Sequence, residues 1–149
     1  METTIKAAIV TGGSRGIGRS IALRLAADGY AVAVNDAGSA PDAQKTVAEI
    51  IANGGKAIVV QGNLAIAQDV ARLLDETEKA FGGVDVPVNH GGIMNLAPLA
   101  SSSDELFDEQ VAVNLKGTFN GLREAMRRIR EGGRTINLSS SVVALRFEQ

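Results

Sequence analysis

Thr11-Gly12-Gly13-Ser14-Arg15-Gly16-Ile17-Gly18 is the stretch whose residue types and spacing best suit chemistry, and that chemistry is the binding of a phosphate. Gly12 can take turn dihedrals closed to bulkier residues, Gly16 lets backbone N–H groups approach a pyrophosphate, and Gly18 lets the next helix pack tightly on the preceding strand. The helix N-terminus then offers unpaired amides and the positive end of its dipole to an anion. The glycines read G-x-x-x-G-x-G from Gly12. The pattern G-x-G-x-x-G is therefore not met: started at Gly16, its last glycine falls on Ile21. A glycine-rich turn between strand and helix also occurs with no ligand, and these residues alone leave both readings open.

The elements that must position this turn follow from hydrophobic periodicity. Ala7, Ala8, Ile9 and Val10 form a short apolar run before the turn, and Ile17, Ile21 and Leu25 recur after it at helical spacing, which predicts strand, turn, helix. Asp28-Gly29 stops the helix, and 30–35 (YAVAVN), ended by Asp36, reads as a second strand. Pro41 suits a first helical turn, with Val47, Ile50 and Ile51 as the inner face of a helix that Asn53-Gly54-Gly55 terminates. The third strand is 56–61, and a helix over 68–81 carries Val70, Leu73, Leu74 and Phe81 on one side. The fourth strand is 84–89, although Pro87 inside it lacks a ladder donor. One long helix is predicted over 103–130, with Leu106, Phe107, Val111, Leu115, Phe119, Leu122 and Met126 as its apolar side, before a fifth strand at 135–138. Strands alternating with helices over short connections predict a doubly wound parallel sheet, a Rossmann-like α/β fold. Its ligand crevice lies beyond the carboxyl ends of the strands. Residues 11–18, Asp36, Asn63, 89–92 and 139–141 all follow strand ends, so the fold gathers them on one rim.

Composition narrows the function classes. The 149 residues are 45% hydrophobic and 21% charged, the profile of one globular domain spanning 1–149. A formal charge of -2 speaks against nucleic acid or an anionic membrane as partner. The one basic cluster, Arg123, Arg127, Arg128 and Arg130, falls at a predicted helix end, where cations offset the dipole. With no cysteine and a single histidine, His90, no metal site is expected. No apolar run reaches a membrane span and the N-terminus lacks a secretory pattern, so a cytoplasmic protein is expected.

Four segments, TGGSRGIG at 11–18, VNHGGI at 88–93, VAVNLKGTF at 111–119 and GGRTINLSS at 132–140, resemble in order the motifs of the short-chain dehydrogenase/reductase family. The likeness is strongest to members similar to 3-oxoacyl-carrier-protein reductases. The resemblance implies an oxidoreductase transferring hydride between a nicotinamide dinucleotide and a carbonyl or alcohol substrate, in an enzyme that forms homo-oligomers. It implies that Thr11, Gly12, Gly16 and Gly18 hold the cofactor diphosphate and that Ser14, Arg15 and Ile17 of the same turn, with Asn89 and Gly91, also bind the cofactor. Asn63, where the family usually has Asp, would meet the adenine, its side-chain oxygen still able to accept a hydrogen bond. Asn89 to Gly92 stand where the family usually reads N-N-A-G, with His90 for the second Asn and Gly91 for the Ala. Asn114 matches the Asn that kinks its helix and holds a water in the proton relay, and Ser140, with Ser141 as the alternative, matches the Ser that hydrogen-bonds the substrate carbonyl. Each has a plain alternative: His90 a loop residue, Asn114 a polar helix residue, Arg15 a solvated charge.

Cofactor choice stays open between NAD and NADP. Asp36 at the end of the second strand can accept from ribose hydroxyls and repel a 2′-phosphate, favouring NAD, whereas Arg15 in the glycine turn can pair with that phosphate. The resemblance also implies a proton-donating Tyr followed four residues later by a Lys, whose charge lowers the Tyr pKa. These residues contain no Tyr-x-x-x-Lys, and the only tyrosine, Tyr30, opens the second strand. The expectation is therefore the incomplete front portion of a family member, with five of about seven strands. A non-catalytic dinucleotide-binding fragment and a partner subunit remain as alternatives.

Overall fold

The computed structural model describes residues 4–140. Five strands, β1 (Ala7–Thr11), β2 (Ala31–Asp36), β3 (Ala57–Gln61), β4 (Val86–Asn89) and β5 (Ile136–Asn137), form one sheet in the order β3-β2-β1-β4-β5. All pairings are parallel. The helices are α1 (Gly16–Ala27), α2 (Ala40–Ala52), α3 (Ala67–Phe81), α4 (Asp104–Gln110) and α5 (Gly117–Arg128), with a π-helical turn, Val111–Lys116, joining the last two. The chain runs outward from β1 through β2 to β3, then returns to the other side of β1 with β4. This reversal opens a crevice between the carboxyl ends of β1 and β4.

Alternation along the strands divides the core into two layers. Ile9, Ala33 and Val60 face Val70, Leu73 and Leu74 of α3. Val10, Val32, Val34 and Val88 face Ala22 of α1 and Ala43 and Ile50 of α2. Burying both faces explains why β1 and β2 are apolar runs rather than alternating ones. Each large aliphatic side chain hidden this way contributes about 1.5–3 kcal/mol relative to exposure.

Several sequence expectations are corrected. Ile51 is exposed while Ile50 is buried, and Ile17 is 64% exposed, because Gly18 and Ala22 are the α1 residues that meet the sheet. The small residues bring α1 close to β1, which leaves no depth for a longer side chain at that line of contact. The single helix predicted over 103–130 is α4, a π-helical turn and α5, and it ends at Arg128 rather than at Gly132-Gly133. Ile129 is already extended and bridges to Val84. Its apolar stripe does not face the core: Phe107, Leu115, Phe119 and Met126 are exposed, and Gly117, Asn120 and Ala125 are the buried residues of α5. Strands four and five are shorter than expected, starting at Val86 and covering Ile136–Asn137.

Pro87 is accommodated in β4 opposite Ile9 of β1. The ladder resumes on either side: the Asp85 amide donates to the Ala7 carbonyl at 2.8 Å, and the register continues at Val10 opposite Val88. Asp85 adds a side-chain staple by accepting from the Ala7 amide at 2.6 Å. Arg130 holds that carboxylate through Nε at 3.0 Å and also through Nη2, which donates to the Ile5 carbonyl at 2.9 Å. The basic cluster is thus more than a dipole complement. Arg128 of α5 pairs with Asp75 and, at 2.8 Å, with Glu78 of α3, locking two helices on one face.

Candidate functional site

The glycine turn leaves β1 at Thr11, and its shape needs glycine where φ is positive, 65° at Gly12 and 55° at Gly16. The Gly13 amide donates to the Asn35 carbonyl at 3.0 Å, which seats the turn across the end of β2. Gly18 is required by space rather than by dihedral angle. A Cβ there would fall 2.1 Å from the Gly12 carbonyl oxygen and 2.7 Å from His90 Nδ1. Gly16, by contrast, faces open space, with nothing within 4 Å of where its Cβ would lie. The first α1 hydrogen bond runs from the Arg19 amide to the Arg15 carbonyl at 3.2 Å, and Arg15, the residue capping α1, makes no side-chain cap. The amides of Gly16, Ile17 and Gly18 are thus the unpaired donors of the helix end, lacking a protein acceptor among the described residues.

Thr11 knots the two strands that bound the crevice. Its hydroxyl donates to the Val88 carbonyl at 3.2 Å and accepts from the amides of His90 at 3.0 Å and Gly91 at 2.9 Å. This use of every hydroxyl site fixes the β4 loop against the glycine turn. A cleft of about 530 Å³ lies above them, lined by Gly12, Ser14, Arg15, Asp36, Asn63 and Gly91 of the expected residues. Ala37, Ser39, Leu64, His90, Gly92, Ile93, Glu109 and Val113 also line it. Leu64, Ile93, Glu109 and Val113 were not expected as site residues, although Ile93 and Val113 fall within the family-like segments 88–93 and 111–119 and Leu64 follows β3 by three residues.

Asp36 is held in a dense set of donors. The amides of Gly38, at 2.8 Å, and Ser39 donate to Oδ1, and the hydroxyl of the buried Ser14 donates to Oδ2. Burial works to raise this carboxyl, but the Ser14 hydroxyl and the Ser39 and Gly38 amides, helped by the charge of Arg15, hold it below the usual carboxylate range. A carboxylate has about four lone-pair sites, so these three donors leave one on Oδ2 unused. Ser14 is anchored in turn, since its carbonyl accepts from the Thr46 hydroxyl of α2 at 3.2 Å. The structure thereby joins turn, β2 end and α2 through Ser14.

Other expected residues stand at the rim or behind it. The Asn63 side-chain oxygen accepts from the Ala65 amide at 2.9 Å, closing its own turn at the cleft edge. Asn89 Nδ2 donates to Asn137 at 2.8 Å and joins β4 to β5. Asn114 sits in the π-helical turn and clasps the backbone of Ile93 twice: its Nδ2 donates to the carbonyl at 2.7 Å and its Oδ1 accepts from the amide at 2.8 Å. Helix widening of this type often marks functional positions. Gly92 must be small here, as a Cβ would lie 2.9 Å from Asn114 Oδ1. Gly16 and Ile17 are not among the residues lining this cleft; they line a separate open depression along α1 with Ser20, Ile21, Arg24 and Leu25. Ser140 is exposed just past β5, on the same rim as the other strand ends. Ser141 falls outside the described residues.

A model of the short chain dehydrogenase family matches residues 6–148. The chain is 44% identical over 142 residues to a 3-oxoacyl-(acyl-carrier-protein) reductase FabG of Staphylococcus aureus, covering 94% of this chain and 58% of that protein. It is 40% identical over 134 residues to the short chain dehydrogenase/reductase AacuN of Aspergillus aculeatus, covering 90% of this chain and 51% of that one. Among solved structures, a dehydrogenase/reductase from Sinorhizobium meliloti superposes with a TM-score of 0.90 at 42% identity, over 94% of this chain and 56% of its own. A Burkholderia cenocepacia short chain dehydrogenase solved in complex with NADP gives 0.89 at 40% identity, over 93% and 57%. The chain spans little more than half the length of the relatives it matches. With the parallel sheet, the glycine turn and the crevice at the strand reversal in agreement, the chain belongs to the short chain dehydrogenase family.

Proposed function

We propose that this chain forms the dinucleotide-holding part of an NAD(P)-dependent oxidoreductase that moves a hydride between the nicotinamide and a carbonyl or alcohol. The observation that carries the proposal is the row of unpaired amides at Gly16 to Gly18, at the positive end of α1 and with open space at Gly16 where a Cβ would lie. Such a terminus suits a diphosphate with no further group required. The bound cofactor supplies the hydride chemistry. The residues of this chain hold and orient. Gly12, Ser14 and Arg15 shape the phosphate seat, Thr11 and Gly91 fix its floor, and Asn63 edges the adenine end. Asn114 secures the Ile93 loop where the nicotinamide end of the cleft lies, and Asn114 and Ser140 are the polar groups offered to the proton-handling side. The Tyr-x-x-x-Lys of the family does not occur in these 149 residues.

Within this reading NAD is favoured over NADP. The ionised Asp36 offers its remaining Oδ2 lone pair to a ribose hydroxyl, which can donate, and repels a 2′-phosphate, which cannot. Arg15 offers the opposite preference. Calorimetric titration with both cofactors decides: NAD is expected to bind more tightly, and Asp36→Ala to narrow or reverse the difference. Equal affinity in both variants would remove Asp36 from cofactor choice, and no heat with either cofactor would remove the dinucleotide site.

A second reading, as an associating subunit, rests on the exposed stripe Phe107, Leu115, Phe119 and Met126. Apolar surface concentrated on one helical face favours association. Acidic residues Asp104, Glu105, Asp108 and Glu109 lie at one end and Arg123 and Arg127 at the other, so an antiparallel copy would match charge as well as apolar surface. The two readings are compatible.

A further inference from the structure

Along the face that α2 turns to the core, the buried residues are Ala43, Thr46 and Ile50, and the middle one is polar. Thr46 is fully buried, and its hydroxyl has a single proton to give. Two carbonyl oxygens lie 3.2 Å from it, that of Asp42 one turn back in α2 and that of Ser14 in the glycine turn. The Asp42 carbonyl already belongs to the α2 ladder. The Ser14 carbonyl, in a residue only 3% exposed, accepts no other hydrogen bond among the described residues. A buried carbonyl left without a donor is costly, so the proton of Thr46 is needed at Ser14. At its other end Ser14 donates its hydroxyl to Asp36 Oδ2, while the amides of Gly38 and Ser39 fill Oδ1. One line of hydrogen bonds therefore runs from the inner side of α2, through the glycine turn, to the carboxylate at the end of β2.

We propose that Thr46, which does not itself line the cleft, is a positioning residue for cofactor choice: it holds Ser14 from behind so that Asp36 keeps one setting, accepting from a ribose hydroxyl of NAD and repelling the 2′-phosphate of NADP. The inference rests on the role given to Asp36 above. Without the Thr46 hydroxyl the Ser14 backbone loses its tie to α2, and its side-chain O–H becomes free to leave Asp36. NAD then meets an acceptor that is no longer fixed, and NADP meets a serine donor beside Arg15 that a phosphate oxygen can use. Both changes lower the preference for NAD.

The test is the ratio of NADP to NAD dissociation constants, measured by calorimetric titration in the unaltered protein, Thr46→Val, Thr46→Ala and Thr46→Ser, with thermal denaturation recorded for each. The two variants without a hydroxyl should lower the ratio by about three- to tenfold, the range set by the net worth of one hydrogen bond, and Thr46→Ser should restore it. Thr46→Ala sets no methyl group against the Ser14 carbonyl and decides the matter if Thr46→Val does not fold. In an Asp36→Ala background, removing the Thr46 hydroxyl should leave the ratio where Asp36→Ala alone puts it. A threonine with a purely structural role would lower stability and weaken both cofactors alike, leaving the ratio unchanged. That result, a ratio lowered as far by Thr46→Ser, or an undiminished effect in the Asp36→Ala background would overturn the role of Thr46 while the shift caused by Asp36→Ala still stands. A ratio untouched by Asp36→Ala itself would overturn the Asp36 reading and this inference with it.

Discussion

At the scale of single residues, the site depends on atoms that are absent as much as on those present. Gly18 has no room for a methyl group, so Gly18→Ala is expected to push α1 away from the turn, with a loss of about 1–3 kcal/mol by overpacking and at least a tenfold weaker hold on NAD. Thermal denaturation and calorimetry on the same preparation read both effects. Thr11 acts through a satisfied hydroxyl. Thr11→Val keeps the shape but strands two amides and a carbonyl, at a cost of about 2 kcal/mol read by urea denaturation. The glycines were legible in the sequence because their spacing has a mechanism. The contacts of Asp36 were not: its donors, Ser14 and the amides of Gly38 and Ser39, come from two different loops, and only the assembled crevice brings them together. His90 was equally opaque, since nothing in a lone histidine after a strand shows that its ring tucks under a turn some 80 residues earlier in the chain, the separation at which the Gly91 amide meets Thr11.

At the scale of elements, the strand and helix alternation was readable because buried parallel strands are continuous apolar runs bounded by glycine and asparagine stops. The reading failed at the inner face assigned to α2, where Ile50 is buried but Ile51 is exposed. In α1 the sheet contact is made by Gly18 and Ala22, and along α4 to α5 Phe107, Leu115, Phe119 and Met126 are exposed. Periodicity gives a face but not the direction in which it points. Periodicity alone gave one continuous helix, but the π-helical turn falls at Asn114, where the family resemblance implies a kink, and there Asn114 clasps the Ile93 backbone. At the amino ends of the strands, Asp85 is the staple that secures β1 to β4 beside Pro87. Burial tends to raise its carboxyl, but Arg130 and the Ala7 amide outweigh this and hold it below the usual range. A depressed folded-state pKa gives stability that is present above the unfolded value, about 3.9, and is lost as pH falls through the lower folded value. Asp36 and Asp69 act in the same direction. Denaturant midpoints should therefore drop below about pH 4, and Asp85→Asn should lower stability at neutral pH while flattening that acid limb. An unchanged acid limb in the variant would show that Asp85 is not among the groups responsible.

For the whole molecule, the sheet order and the reversal between β1 and β4 place the crevice, and the family assignment agrees with it. The uncovered stripe from Phe107 to Met126 has its own consequence: this chain should self-associate, and Leu115→Glu with Phe119→Glu should shift it to monomer in sedimentation velocity without loss of helical signal. A polypeptide of these 149 residues, lacking Tyr-x-x-x-Lys, is expected to bind a dinucleotide without turning over ketones or oxoacyl thioesters, as followed by NADH and NADPH absorbance. Clear turnover dependent on Ser140 would contradict this. The central claim, that the bare amides heading α1 grip a diphosphate, is tested most directly by amide proton and nitrogen shifts during titration with NAD. The largest changes are predicted at Gly16, Ile17 and Gly18. Saturable binding that leaves those three resonances unmoved while shifting amides elsewhere would contradict the account.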